Sequence, residues 1–329
     1  MRAGRVVWST TVVLLLAGCT SPPQPLALVV LEPAPVAAAA AAAHVESYEV
    51  QSNGELATGL LAVPTDPPTT LVVLAHPWGG TAEFYRADLQ ALADRGILAV
   101  AMEFRGEQGA FKVDAGVQDT VAATLDLQAS HPAIDRTLLY GWSMGGEIAL
   151  LAVAQAPPGT YDYVFEGAGV TDLTTLWAVF VAARPFIEHE TGGTPLQVPD
   201  AYTRRSPIER MDDLKDKGVA RYFIVHGAGD TPVPLEQAER LYSLMAEANL
   251  PVSYYLVTAD KDAWVCTPAL ILCAPTPPVG LANHEAGGLR LMRPFLDHRI
   301  DRLPDPPTGP VRGTYDGNAG TYEPRDVGG

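Results

Sequence analysis

The chain has 329 residues, 47% apolar and 18% charged, an ordinary globular composition with room for one large α/β domain and no need of a second. Its 22 basic and 38 acidic residues leave a net charge of −16, which argues against binding nucleic acid through phosphate contacts and points to no particular substrate. No His or Cys cluster has metal-ligand spacing, and the sequence calls for no cofactor.

Residues 1–18 carry Arg2 and Arg5, then an apolar stretch too short to span a bilayer comfortably, and so read as a signal peptide. The stretch ends Leu16-Ala17-Gly18-Cys19, which resembles the lipobox of bacterial lipoproteins. That resemblance implies cleavage before Cys19, acylation of its thiol, and export to the bacterial cell envelope on a lipid anchor. An ordinary signal peptide is the plainer alternative. Residues 19–44, with five prolines and an alanine run over 37–43, read as a linker.

The domain proper is expected over residues 45–303. Two strands, 47–51 and 58–63, joined through Asn53-Gly54, make an antiparallel edge. Residues 71–75 form a continuous apolar run, typical of a strand buried on both faces, and end in His76-Pro77-Trp78-Gly79-Gly80. Thr81 is placed to cap a helix to about residue 92, followed by a strand over 97–102 and a helix over 114–130.

Next comes Leu138-Leu139-Tyr140, leading into Gly141-Trp142-Ser143-Met144-Gly145 and a helical segment over 147–156. Gly-x-Ser-x-Gly between a buried strand and a helix is a nucleophile elbow, in which the glycines let strand and helix approach closely and Ser143 sits at the tip. A chain of this composition holds roughly 0.07 such pentapeptides by chance, so the strand-to-helix context, not the pattern alone, identifies it.

A strand over 161–165 follows. Residues 171–213, with Trp177, Phe180, Phe186 and Tyr202 among prolines, break the rhythm and suggest a small helical cap. A strand over 219–225 precedes His226-Gly227-Ala228-Gly229-Asp230, which puts a carboxylate beyond a strand's carboxyl end. A helix over 235–248, a strand over 252–257 and a last helix after Asn283-His284-Glu285 complete an α/β alternation with a mostly parallel sheet. Residues 304–329, rich in Gly and Pro, read as a disordered tail. Cys266 and Cys273, an even pair in a chain read as exported, suggest a local disulfide.

Ser143, Asp230 and His284 stand in the chain order of an α/β-hydrolase triad. His226 is a rival base only through its nearness to Asp230, and Asp172 is a runner-up acid. From about Leu71 to Arg299 the chain resembles the α/β-hydrolase superfamily, and within it prolyl oligopeptidase-like (peptidase S9-type) and dienelactone hydrolase-like proteins. The likeness is most specific at Ser206-Pro207-Ile208 and at Phe223 through Pro234. It implies Ser143 as nucleophile, Asp230 as acid, His284 as base, and the backbone N–H groups of Trp78 and Met144 as the oxyanion hole. Pro77 stands where the oxyanion turn of such proteins usually has glycine.

The expected activity is that of a serine hydrolase working through an acyl-enzyme, with small-molecule esters preferred. Residues before Leu71 supply no propeller gate, no acidic cluster is assigned to a peptide amino terminus, and an ester has the better leaving group. A prolyl oligopeptidase-type peptidase acting on short peptides, a polyester or feruloyl-type esterase, and a non-catalytic binding lipoprotein are the alternatives. Trp177, Phe180 and Trp264 are the candidate pocket aromatics.

Overall fold

The computed structural model describes residues 42–107, 109–259, 264–267, 272–275, 309–316 and 321–325. Strands β1 (His44–Ser52) and β2 (Glu55–Val63) pair antiparallel across Asn53 and Gly54. Both turn residues take positive φ, 51° and 82°, as a two-residue hairpin of this hand requires. Strand β3 (Thr70–Ala75) is buried along its length, as its unbroken apolar run predicts.

The helix expected after Thr81 begins as a 3₁₀ turn, Ala82–Tyr85, and becomes α1 (Arg86–Ala93). The Thr81 side chain makes no cap bond; Glu103 Oε1 accepts the Ala82 N–H at 3.1 Å instead. A carboxylate from beyond β4 (Leu98–Met102) thereby does a cap's work. Helix α2 (Val113–Ser130), β5 (Arg136–Trp142), α3 (Met144–Gln155) and β6 (Tyr163–Gly167) continue the alternation.

The interruption after β6 is helical, as expected for a cap: α4 (Leu173–Val179), α5 (Arg184–Thr191), α6 (Pro199–Arg205) and the single turn α7 (Met211–Leu214). Strand β7 (Arg221–Gly227), α8 (Leu235–Glu247) and β8 (Val252–Ala259) resume the sheet. Strands β9 (Trp264–Thr267) and β10 (Leu272–Pro275) form a separate antiparallel ladder in which Cys266 and Cys273 are direct cross-strand partners.

Two further strands correct the expectation of a structureless tail. Strand β11 (Val311–Asp316) runs parallel to β8, and β12 (Thr321–Arg325) pairs antiparallel with β11. Arg312 Nη2 donates to Glu239 Oε1 at 3.0 Å, and buried Arg221 donates to the Gly309 carbonyl at 3.2 Å. Composition hides these strands because each is short and depends on an edge that only the folded sheet provides.

The sheet order is β1-β2-β4-β3-β5-β6-β7-β8-β11-β12, parallel from β4 through β11. This α/β architecture has a helical layer on each face. Leu71, Val73 and Ala75 of β3 join the core with residues of α2, α3 and α8, whereas Val72 and Leu74 pack with α1. Each such leucine or valine contributes about 2 kcal/mol by leaving water. The chain leaves β3 toward β4 on one side and returns to β5 on the other, so the loops after β3 and β5 diverge. Open α/β sheets bind ligands at the carboxyl ends of strands beside such a reversal.

Candidate active site

Ser143 lies at the junction of β5 and α3 with φ 58° and ψ −123°, a backbone that L-residues avoid. The surroundings enforce it. The Ser143 N–H donates to the Gly167 carbonyl at 2.8 Å, and its own carbonyl accepts from the Gly146 N–H at 2.8 Å. A Cβ at Gly141 would overlap the Gly145 carbonyl, and a Cβ at Gly145 would overlap that of Ala75. Both glycines are therefore required by close approach of strand and helix. Ser143 is half-buried between buried Trp142 and Met144.

The loop after β3 lies on the neighbouring strand. The Gly80 N–H bonds the Pro77 carbonyl at 2.9 Å, closing a turn whose third residue, Gly79, has φ 75°. Pro77 fits because its carbonyl, not an N–H, closes the turn. His76 is buried, stacks on Phe104 at 4.2 Å between ring centroids, and puts Nδ1 2.9 Å from the Pro77 carbonyl. Burial pushes its pKa down, so the ring is neutral scaffolding for the turn. Among the described residues, no acceptor takes the N–H of Trp78 or of Met144, the two expected oxyanion donors.

Asp230 follows β7 and is buried. Its Oδ1 accepts the Val233 N–H at 2.9 Å, and Oδ2 lies 3.4 Å from His226 Nε2. His226 is wholly buried and gives its Nε2 proton to the Val233 carbonyl at 2.8 Å, which holds the loop around Asp230 and leaves that nitrogen committed. Asp172 has other employment. It caps α4 through the Thr175 N–H at 3.0 Å and pairs with Arg240 at 2.9 Å. His284 lies outside the described residues, as does Cys19; Trp264 is placed on β9 by its backbone alone.

Trp78 meets the cap. Its ring lies 4.9 Å from that of Phe186, 6.3 Å from Phe180 and 6.2 Å from Phe111, and its indole N–H donates to the Gly109 carbonyl at 2.8 Å. Phe186 is 40% exposed, so this aromatic group presents an open apolar wall. Phe180 thus lies beside the 77–80 turn, while Trp177 is bound up within the cap. The Trp177 indole donates to Glu188 Oε1 at 2.7 Å, and Arg184 sits 4.6 Å over its ring. Sequence marks Phe186 only as one aromatic of the suggested cap and does not mark Phe111, because aromatic spacing on separate elements carries no signal of contact.

Buried carboxyls were also missed. Glu147, in the first turn of α3, is fully buried with neither oxygen hydrogen-bonded among the described residues, and burial raises its pKa well above the usual range. Arg205 of α6, paired with Asp114 of α2 and 3.6 Å from Glu190 of α5, favours its ionised form and fastens the cap. Glu166 of β6 is similarly buried. The available signal was an acidic residue inside an otherwise apolar strand pattern.

The prolyl oligopeptidase family, peptidase S9, matches residues 83–269. An uncharacterised peptidase of Bacillus subtilis, YtmA, is 27% identical over 224 residues, 64% of this chain and 85% of that protein. The Pyrococcus horikoshii acylaminoacyl peptidase superposes with a TM-score of 0.56 at 18% identity, over 66% of this chain and 37% of its own. This chain therefore spans little more than a third of that neighbour. An esterase of Pyrococcus furiosus superposes with a TM-score of 0.52 at 18% identity, over 65% of this chain and 82% of its own. Structural likeness at such identities shows the shared α/β-hydrolase fold.

Proposed function

Because the chain belongs to the prolyl oligopeptidase family of the α/β-hydrolase superfamily, we propose that it is a serine hydrolase with Ser143, Asp230 and His284 as its triad. The observation that carries this reading is the backbone of Ser143, held at φ 58° by glycines that admit no side chain. Such strain persists only where the surroundings over-determine it, as at a nucleophile.

In the proposed reaction His284 takes the hydroxyl proton as Ser143 Oγ attacks the substrate carbonyl carbon, with Asp230 fixing the imidazole tautomer. The N–H groups of Trp78 and Met144 receive the developing oxyanion. Collapse expels the amine or alcohol, protonated by His284, and water then hydrolyses the acyl-enzyme by the same route.

Short peptides are the favoured substrates. The family is one of peptidases, the Bacillus subtilis relative is named as one, and the apolar wall of Trp78, Phe180 and Phe186 suits an apolar or aromatic acyl side chain. Carboxylic esters are the second reading, favoured by Pro77 at the head of the oxyanion turn, since an ester demands less transition-state stabilisation. Measuring kcat/KM for p-nitrophenyl acyl esters beside alanyl and prolyl peptide amides decides between them. Amide turnover within tenfold of the best ester selects the peptidase; turnover of esters alone selects the esterase. A fluorophosphonate that leaves Ser143 unlabelled would reject both and favour the binding lipoprotein.

Export on a lipid anchor at Cys19 belongs to the same proposal and is checked by membrane partition of the protein and its release by Cys19→Ser. The cross-strand register of Cys266 and Cys273 supports a disulfide there. Thiol titration of the unreduced, exported protein tests it.

A further inference from the structure

Glu166 lies 1% exposed in β6, immediately before Gly167, the residue whose carbonyl holds the Ser143 N–H at 2.8 Å. The chain then turns sharply. Ala168 has φ 45° and donates its N–H to the Val225 carbonyl at 2.7 Å, and the Val170 N–H returns to the Ser143 carbonyl at 3.4 Å. Inside this turn, Glu166 Oε1 accepts the Gly169 N–H. The same carboxyl fills the space between turn and helix. A Cβ at Gly146 would stand 2.9 Å from the Gly169 Cα and 3.2 Å from Glu166 Oε1. One side chain therefore joins the segment that grips Ser143 to the first turn of the helix that Ser143 begins.

The other oxygen has no such employment. Oε2 is buried and forms no hydrogen bond among the described residues. From the loop after β7 the carboxyl faces Asp230, whose charge opposes a second one. Tyr140 of β5 and Tyr254 of β8 are the phenols whose ionisation it opposes. Buried His226 of β7 spends its Nε2 proton on Val233, and α3 presents the Gly146 backbone. No Lys or Arg pairs with Glu166 among the described residues.

We propose that Glu166 is a positioning residue for Ser143, acting through the 167–170 turn, and that the elbow is competent only while this carboxyl is uncharged. Neutral, it accepts the Gly169 N–H at little cost. Ionised, it is a buried, unpaired charge beside Asp230, relieved only by shifting the turn or admitting water. Burial, then Asp230, push its pKa up to about 8, against the opposing Gly169 N–H, so the change falls in an accessible range. Because the folded state keeps a proton that the unfolded state loses near pH 4.5, this group's contribution to stability declines as pH rises from there to about 8 and is level above.

This role rests on Ser143 being the nucleophile, so the test reads that serine directly. The second-order rate of fluorophosphonate labelling is measured from pH 6 to 10 for the wild type and Glu166→Gln, with near-ultraviolet circular dichroism recording the fold. In the wild type the rate should fall about fivefold between pH 8 and 9. In Glu166→Gln, whose amide oxygen still accepts the Gly169 N–H, the rate at pH 7 should lie within about threefold of wild type, with no alkaline fall. Superimposed profiles overturn the inference. If Glu166→Gln does not fold, the wild type decides alone, since a level rate to pH 9.5 in folded protein overturns it too. A wild type that resists labelling at every pH overturns the serine-nucleophile reading itself, and the role of Glu166 with it.

Discussion

At the elbow, Ser143 is held by the Gly167 and Gly146 backbone and by glycines with no room for a side chain; the cap hangs on side chains. In the cap, Arg205 reaches Asp114 and Glu190, Trp177 reaches Glu188, and Arg184 covers Trp177. Backbone bonds between packed elements tolerate little movement, so they suit a nucleophile whose placement to within an ångström sets the rate. Side-chain ties can be exchanged one at a time, which suits the region that meets the variable part of a substrate. The aromatic wall joins the two, with Trp78 on the rigid side and Phe180 and Phe186 on the cap.

If the elbow is the chemical region, its changes should act on kcat and those in the cap on KM. Ser143→Ala is expected to lower kcat by about 10⁶-fold and to abolish fluorophosphonate labelling while leaving circular dichroism unchanged. Asp230→Asn should cost about 10⁴-fold by freeing the wrong imidazole tautomer. Asp172→Asn should leave kcat near wild type and lower stability by less than about 1 kcal/mol, because asparagine also caps helices. An active Asp230→Asn beside a dead Asp172→Asn would move the acid to Asp172.

Gly145→Ala places a methyl group against the Ala75 carbonyl. It should destabilise the protein by about 3 kcal/mol or more, read as a lower urea midpoint. Arg205→Met leaves Glu190 and the exposed Asp114 without their cation, and should cost about 2 kcal/mol with KM affected more than kcat. A kcat loss equal to that of an elbow variant would erase the distinction between the regions. The smallest effect is expected from Phe186→Ala, a rise of about fivefold in KM for substrates with an aromatic acyl side chain and none for an acetyl ester.

The sequence by itself determined the alternation of buried strands and helices from β3 to β8, because strands covered on both faces need unbroken apolar runs such as Leu71-Val72-Val73-Leu74-Ala75. It also located the elbow, since a strand-to-helix turn this tight requires Gly141 and Gly145 at fixed distances from Ser143. The tertiary structure alone decided features whose partners are remote in the chain. Glu103 caps the turn at Ala82 from 21 residues away, β11 adds to the edge left by β8, and Phe186 reaches Trp78 from beyond three intervening strands, β4, β5 and β6. Glu166 was visible as a letter in an apolar strand, but its employment was not. Hydrophobic period and turn chemistry are local and written in neighbouring residues, whereas a buried carboxyl takes its meaning from Gly146, Gly169 and Asp230, which come together only when the sheet has formed.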